Sequence, residues 1–351
     1  MKNSNATNDI TDKFSRRDAL KLLGLGGIAA TSGLLSTDTI SAQTADAPII
    51  QPVTNTQGAG FYKFKVGAMT CFVISDGVLN APPIPLFAAN VKKEVAEQAL
   101  RDYFLPTDSA VTHVNALIVK SGDKVLLIDT GSGNNLGESV GKLGANLGRA
   151  GISPEQITDV AFTHAHGDHA GGNVDANGKI VFPNARFHIA QLEWETWMAK
   201  NVSLGQTKVD EKTGKFYIEL SKKSLSPLKD RVTLFKPNAE IITGISSIPA
   251  PGHTPGHTAY LISSGSDSLI YAGDFAHHFA FQIVHPEWFT SVDYDTNQAV
   301  ATRKKLLDRL ATDKTLVAGS HLPFPAIGHI RARNATRTSY EFVPIIWDWT
   351  A

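Results

Sequence analysis

The sequence predicts a layered α/β domain built on mixed sheets, and three features of the chain point there. Short β-branched runs recur at Tyr62–Val66, Met69–Ser75, Val114–Val119, Val125–Asp129, Val160–Thr163, Arg186–Ala190, Arg231–Phe235, Ala259–Ile262, Leu269–Ala272 and Thr315–Ala318. Helical patterns fall between them at Val91–Phe104, Glu138–Ala150, Gln191–Lys200 and Asn297–Ala311. Turn signals such as Ser121-Gly122-Asp123-Lys124 and Ser264-Gly265-Ser266-Asp267 close hairpins. Hairpins interleaved with helices argue against a doubly wound parallel sheet. No repeat, low-complexity stretch or linker divides the chain after residue 60, so 61–351 is expected to be one domain.

Composition bounds the function. The 351 residues are 42% hydrophobic, enough to bury a sizeable core. Basic and acidic residues balance at 33 each, which gives no electrostatic signature of a nucleic-acid or anionic-membrane partner. The single cysteine, Cys71, rules out an intrachain disulfide framework. It stands in the strand-like run Thr70-Cys71-Phe72-Val73-Ile74 and reads as an inert core thiol.

Residues 1–42 read as an export signal, followed by an extended segment at 43–60. Ser15-Arg16-Arg17-Asp18-Ala19-Leu20-Lys21 precedes the short apolar stretch Leu22–Ala30 and a small-residue exit. That stretch is too short and Gly-rich for a membrane span, and no nearby cysteine offers a lipid anchor. The paired arginines resemble a twin-arginine signal, with Ala19 where that pattern prefers Phe. A periplasmic or secreted location is therefore expected, with no stable membrane anchor.

The chemistry concentrates in Thr163-His164-Ala165-His166-Gly167-Asp168-His169. His164 and His166 are two apart on an extended segment, so both imidazoles point the same way. Asp168 and His169 sit where the backbone turns into a Gly-rich loop or helix. Imidazole with carboxylate suits zinc, or manganese, iron or cobalt. These four donors are too many for one catalytic metal with an open position, and too few for two. Others come from His253 in the Gly/Pro loop Pro251–Thr258, Asp274 after the strand Leu269–Ala272, and His321 after Leu316–Ala318. Each alone reads as a turn or capping residue; together they complete a site for two divalent ions, zinc foremost. Asp129, closing the strand Val125–Ile128, is expected to orient a ligating imidazole.

This pattern resembles the metallo-β-lactamase superfamily, and the resemblance implies a four-layer αβ/βα sandwich with metals at the edge between two sheets. It reaches further, to the methyl parathion hydrolase family. The supporting segments are Ile74-Ser75-Asp76-Gly77, Leu127-Ile128-Asp129-Thr130-Gly131, the Gly252–Thr258 loop, Ala272-Gly273-Asp274 and His321–Arg331. By that resemblance His164, His166 and His253 hold one metal; Asp168, His169 and His321 hold the other; Asp274 bridges both. Trp197 matches a pocket tryptophan of that family, whereas Leu136 stands where its organophosphate-degrading members are aromatic.

The mechanism expected of such a centre is hydrolytic: two metals share a water and lower its pKa toward neutrality. Asp168 or Asp274 then takes the released proton. Candidate substrates are small lactones, aryl esters and phosphotriesters. Trp194, Trp197, Phe216, Tyr217, Phe275 and Phe279 are candidates for an aromatic pocket beside the metals, and His277 and His278 are close enough in sequence to reach it. His188 and His285 read as structural or surface residues, and His257 and His329 as loop histidines that bind backbone. A β-lactamase, a glyoxalase-II-like thioesterase and a non-catalytic metal-binding protein are the alternatives. The lack of a metal-site cysteine, the lack of a distinct C-terminal substrate domain and the full donor set argue against them in turn. By analogy with relatives the chain could form a homodimer.

Overall fold

The computed structural model describes residues 60–348. The signal-like segment 1–42, and all but the last residue of the segment 43–60, lie outside the described residues. Those described belong to one compact unit, and no helix among them is long and apolar enough to cross a membrane.

Alternation along the strands decides the layering. In β2 (Met69–Ala81), Cys71 and Val73 face one way while Phe72 and Ile74 face the other, and all four are buried. The strand is therefore covered on both faces. Preceded by β1 (Phe61–Val66), it continues through β3 (Ala110–Ser121), β4 (Lys124–Ile128), β5 (Asp159–Ala161), β6 (Arg186–Ala190) and β7 (Val232–Phe235) into a seven-stranded sheet. The pairings β1/β2, β2/β3 and β3/β4 are antiparallel; those from β4 to β7 are parallel. The second sheet also has seven strands: β8 (Glu240–Ile242), β9 (Ile245–Pro249), β10 (Thr258–Ser264), β11 (Asp267–Tyr271), β12 (Leu316–Ala318), β13 (Ile327–Ala332) and β14 (Tyr340–Pro344). Only its β11/β12 pair is parallel.

Cys71, Val73, Leu117, Val119 and Leu126 meet Tyr260, Ile262, Leu269 and Tyr271 between the sheets. Outside the first sheet lie α2 (Leu143–Arg149), α4 (Gln191–Met198) and α5 (Glu211–Leu225), following α1 (Lys93–Arg101) and the one-turn α3 (Gly167–Ala170). Outside the second lies α6 (Thr296–Asp313), which buries Leu306, Leu307 and Leu310 against Ile270 and Val317. The expected α/β architecture with two mixed sheets is borne out.

Boundaries differ where local geometry intervenes. The expected strand Met69–Ser75 runs on to Ala81 through a bulge at Ser75/Gly77, where Gly77 has φ +119°. The helix expected from Glu138 starts only at Leu143, because Gly141 (φ +76°) still turns the chain. Phe104 (φ +59°) lies outside the helix expected to reach it. Helix α5 was not expected, since Gly214 interrupts its pattern; a Cβ there would meet Leu204 Cδ1 at 2.8 Å. Strands β8, β9, β13 and β14 were also not expected: β8 has only 3 residues, and β13 carries the exposed polar residues His329 and Arg331.

Candidate metal centre

Parallel neighbours end on the same side, so the carboxyl ends of β4, β5, β11 and β12 deliver Asp129, Thr163–His169, Asp274 and His321 to one edge of the sandwich. His166 caps α3, and this single turn swings Asp168 and His169 back toward His164. A Cβ at Gly167 would meet Leu220 Cδ2 at 2.2 Å, so any larger residue there must displace the Leu220 side chain. His253 follows Gly252, which has φ +129° and would drive a Cβ to 2.2 Å from the Ala299 backbone nitrogen.

The donors form two groups. His164 Nε2 and His253 Nε2 each lie 3.0 Å from His166 Nδ1. On the other side, His169 Nε2 and His321 Nε2 each lie 3.5 Å from Asp168 Oδ2. Asp274 joins them: its Oδ2 is 3.3 Å from His253 Nε2 and 3.1 Å from His321 Nε2, and its Oδ1 is 3.2 Å from His169 Nε2.

Three of the rings are oriented from outside by groups that only accept. His253 Nδ1 lies 3.0 Å from Asp293 Oδ1, His169 Nδ1 2.9 Å from Asp129 Oδ2, and His321 Nδ1 2.7 Å from the His113 carbonyl oxygen. These partners only accept, so the ring proton sits on Nδ1 and a lone pair on Nε2 faces inward. Asp129 also accepts from the Thr163 amide (2.8 Å) and hydroxyl (2.9 Å), held by a left-handed backbone at φ +63°.

The site calls for positive charge. His169 Nε2 and Asp274 Oδ1 are buried with no hydrogen-bond partner among the described residues, and lone pairs of His169 and His321 face carboxylate oxygens. Burial opposes protonation of His169, yet Asp274, Asp168 and Asp129 push its pKa well above the ordinary histidine value. Burial likewise opposes ionisation of Asp274, but the imidazoles of His169 and His321 hold its carboxyl well below the usual range. His164 and His166 go the other way: burial, then neighbouring imidazoles, keep them neutral, as ligands must be. His164, His166 and His253 fit one divalent ion and Asp168, His169 and His321 a second, with Asp274 between.

A family model described as the Metallo-beta-lactamase superfamily matches residues 110–321. The chain belongs to this superfamily. Among solved structures, AidC, a dizinc quorum-quenching lactonase in complex with the product N-hexanoyl-L-homoserine, is 33% identical at TM-score 0.78, covering 82% of this chain and 98% of that one. The hydrolase AbOPH of the beta lactamase superfamily is 29% identical at TM-score 0.76, covering 84% and 100%. The N-acyl homoserine lactonase of Bacillus cereus is 24% identical over 176 residues, 50% of this chain and 60% of that protein. The match thus spans less than two thirds of this curated relative.

In this superfamily member His166, Asp168, His253, Asp274 and His321, five of the seven donors, lie in the wall of a cavity of about 280 Å³. Leu79, Leu86, Phe87, Leu136, Leu220 and Val292 give it apolar sides; His166, Asp168, His253, Asp274, His277 and His321 give it polar ones. Leu136 and His277 both line this cavity. Of the six aromatic candidates only Tyr217 lines this cavity. Burial raises its phenol pKa, so it stays a hydroxyl. Trp197 is displaced from the expected pocket position: 2% exposed, it packs into the core beneath His166, ring centroids 5.4 Å apart. Phe216 is likewise displaced, 39% exposed on α5 and off the cavity. Phe275 packs into the core outside the second sheet. His278 is buried and its Nδ1 accepts from the Ala280 amide. His257 does bind backbone, through the Ala250 carbonyl and the Asp274 amide (both 2.9 Å). His329, by contrast, is an exposed strand residue.

Sequence reasoning missed two residues. Asp293 orients His253; burial opposes its charge, but the hydrogen bond to His253 holds its pKa well below the usual carboxylate range. Glu193, wholly buried, accepts from the Ala165 amide (3.0 Å), the Trp197 indole (2.7 Å), the Thr254 hydroxyl (2.7 Å) and the Gly256 amide (2.9 Å). It ties the loop of His164 and His166 to the loop of His253. The only sequence signal was an acid directly before Trp194 and one helical turn before Trp197.

Proposed function

We propose that this chain is a metal-dependent hydrolase that opens lactones and cleaves aryl esters, with phosphotriester hydrolysis as a secondary activity of the same centre. The observation that carries the proposal is that both donor groups and Asp274 open into one cavity whose remaining walls are largely apolar. A reactive carbonyl can sit on the donors while an acyl or aryl group is buried among Leu79, Leu86, Phe87, Leu136 and Val292. The likeness to AidC supports a lactone as substrate and zinc as the metal.

Two divalent ions, when bound, supply an acidified water and polarise the carbonyl oxygen. His164, His166 and His253 would hold one and Asp168, His169 and His321 the other, with Asp274 shared. Asp168 is the most accessible carboxylate of the set, its side chain 16% exposed, and is placed to carry the released proton toward the leaving oxygen. Tyr217 offers a hydroxyl donor on the cavity wall. The finer assignment to the methyl parathion hydrolase branch belongs to this proposal, and Leu136 in place of an aromatic residue ranks triesters behind lactones.

The test is a substrate panel on zinc-loaded protein: acyl lactones, aryl esters, a paraoxon-type triester and a chromogenic β-lactam. Lactones and aryl esters are expected to be turned over fastest, with two metals per chain, and Asp274→Ala should lose at least one metal and the activity. Turnover of the β-lactam without turnover of any lactone or ester would overturn the reading, and so would full activity with one metal per chain.

A further inference from the structure

We infer that Arg303, a buried cation on α6, is a positioning residue for the metal centre, fixing the ring of His253 through Asp293. The inference rests on the two-metal reading above and deepens it with a residue that is itself no metal donor.

Arg303 stands where an apolar side chain is expected. Helix α6 buries Ala299, Arg303, Leu306, Leu307 and Leu310, one stripe at helical spacing. Within that stripe the Arg303 residue is only 2% exposed. A buried charge forfeits its hydration, which an apolar residue at the same position would not. Such a charge calls for an opposite one. The carboxylate that faces it is Asp293, whose side chain is fully buried, with Arg303 Nη2 3.8 Å from Asp293 Oδ2.

The remaining donors hold the guanidinium in place. Its Nε donates to the Phe275 carbonyl at 2.7 Å, and its Nη1 to the carbonyls of Pro286 at 2.9 Å and Trp288 at 2.7 Å. A planar fork tied at three points has one orientation, and that orientation turns Nη2 toward Asp293. Asp293 in turn spans two partners. Its Oδ1 lies 3.0 Å from His253 Nδ1, while its Oδ2 accepts from the Thr290 amide at 3.0 Å and faces Arg303. Without the cation, the carboxylate is left buried with no counter-charge on that side. It then gains by turning toward any other donor in reach, and its hold on the His253 ring goes with it.

The backbone around His253 has separate supports. The His253 carbonyl accepts from the Tyr294 amide at 3.0 Å, that of Gly252 from the Asp295 amide at 2.9 Å, and that of Pro251 from the Thr302 hydroxyl at 2.6 Å. Loss of Arg303 is therefore expected to free the ring and leave the loop in place.

The experiment measures zinc affinity by chelator competition, and melting of the apo protein. It uses wild type, Arg303→Met, Arg303→Lys, Asp293→Asn, and Arg303→Met combined with Asp293→Asn. Arg303→Met and Asp293→Asn should each weaken the binding of one of the two zinc ions about tenfold or more. The combined variant should lose no more than the worse single one, because both changes break the same link. Arg303→Lys keeps the charge without the fork and should lose only about threefold. Wild-type zinc affinity in Arg303→Met would overturn the inference. So would losses that multiply in the combined variant, or a loss in Arg303→Lys equal to that in Arg303→Met. If Arg303→Met does not fold, Arg303→Lys carries the same test: its loss should vanish when Asp293→Asn is present, and persistence of that loss would overturn the inference. Wild type that binds fewer than two zinc ions would overturn the two-metal reading, and this inference with it.

Discussion

Glu193→Gln removes one charge and almost no volume, at a residue that touches no expected metal. One carboxylate oxygen of Glu193 receives the Ala165 amide and the Trp197 indole; the other receives the Thr254 hydroxyl and the Gly256 amide. In the variant one of these positions becomes an NH2 group. The less costly placement faces Thr254, whose hydroxyl can rotate to accept, but it leaves the Gly256 amide against another donor. One buried amide without an acceptor costs about 1–3 kcal/mol, and the other bonds lose their charge assistance, so about 2–3 kcal/mol in all is expected. For a chain of this size that is roughly 4–6 °C in Tm. The same change loosens His166 relative to His253, now 3.0 Å apart. Zinc affinity of that group should fall about tenfold or more, the usual effect of removing an orienting partner. Thermal melting of apo and zinc-loaded protein, with chelator competition, reads both effects. Wild-type melting together with wild-type zinc retention would refute the clamp.

Three further expectations follow from the same contacts. Asp129→Asn should weaken zinc retention about 10- to 100-fold in chelator competition, because His169 loses the carboxylate that fixes its proton. Trp197→Ala should cost about 3–5 kcal/mol in denaturant unfolding and lower kcat/KM alike on small and large substrates, since the indole is core. A loss confined to large substrates would return Trp197 to the pocket. Cys71 is 0% exposed between the sheets, and burial pushes its thiol up to about 12. Iodoacetamide at pH 8 should therefore label it only after unfolding, and rapid labelling of native protein would contradict the packed interface.

The fold class was legible because strand and helix periodicities leave a local record: β-branched runs of a few residues, apolar stripes on α6, and Gly-containing turns between them. Most of the metal donors were legible for a similar reason. Four of them fall within six residues, a density of imidazole and carboxylate that no ordinary turn requires. His253, Asp274 and His321 stand at strand ends or in a Gly/Pro loop, where a polar side chain after an apolar run invites a question. Asp274 and His321 converge because the parallel pair β11/β12 ends on one edge, while His253 is brought there by the loop between the antiparallel strands β9 and β10.

Other features belonged to the tertiary structure. Trp197 and Tyr217 are both aromatic residues on helices, and one is core while the other lines the cavity. Periodicity reports that a side chain is buried, but both surfaces are apolar, so it cannot say which one buries it. Glu193 and Asp293 gain their roles from partners up to 63 residues away, through hydrogen bonds that leave no local trace. The cavity walls likewise combine Leu79 and Phe87 with Leu220 and Val292. Sequence by itself determined which chemical groups the chain could offer. Only the packing of the two sheets and their helices decided which of those groups face one another, because a hydrogen bond or a cavity wall depends on positions in space that distant segments share.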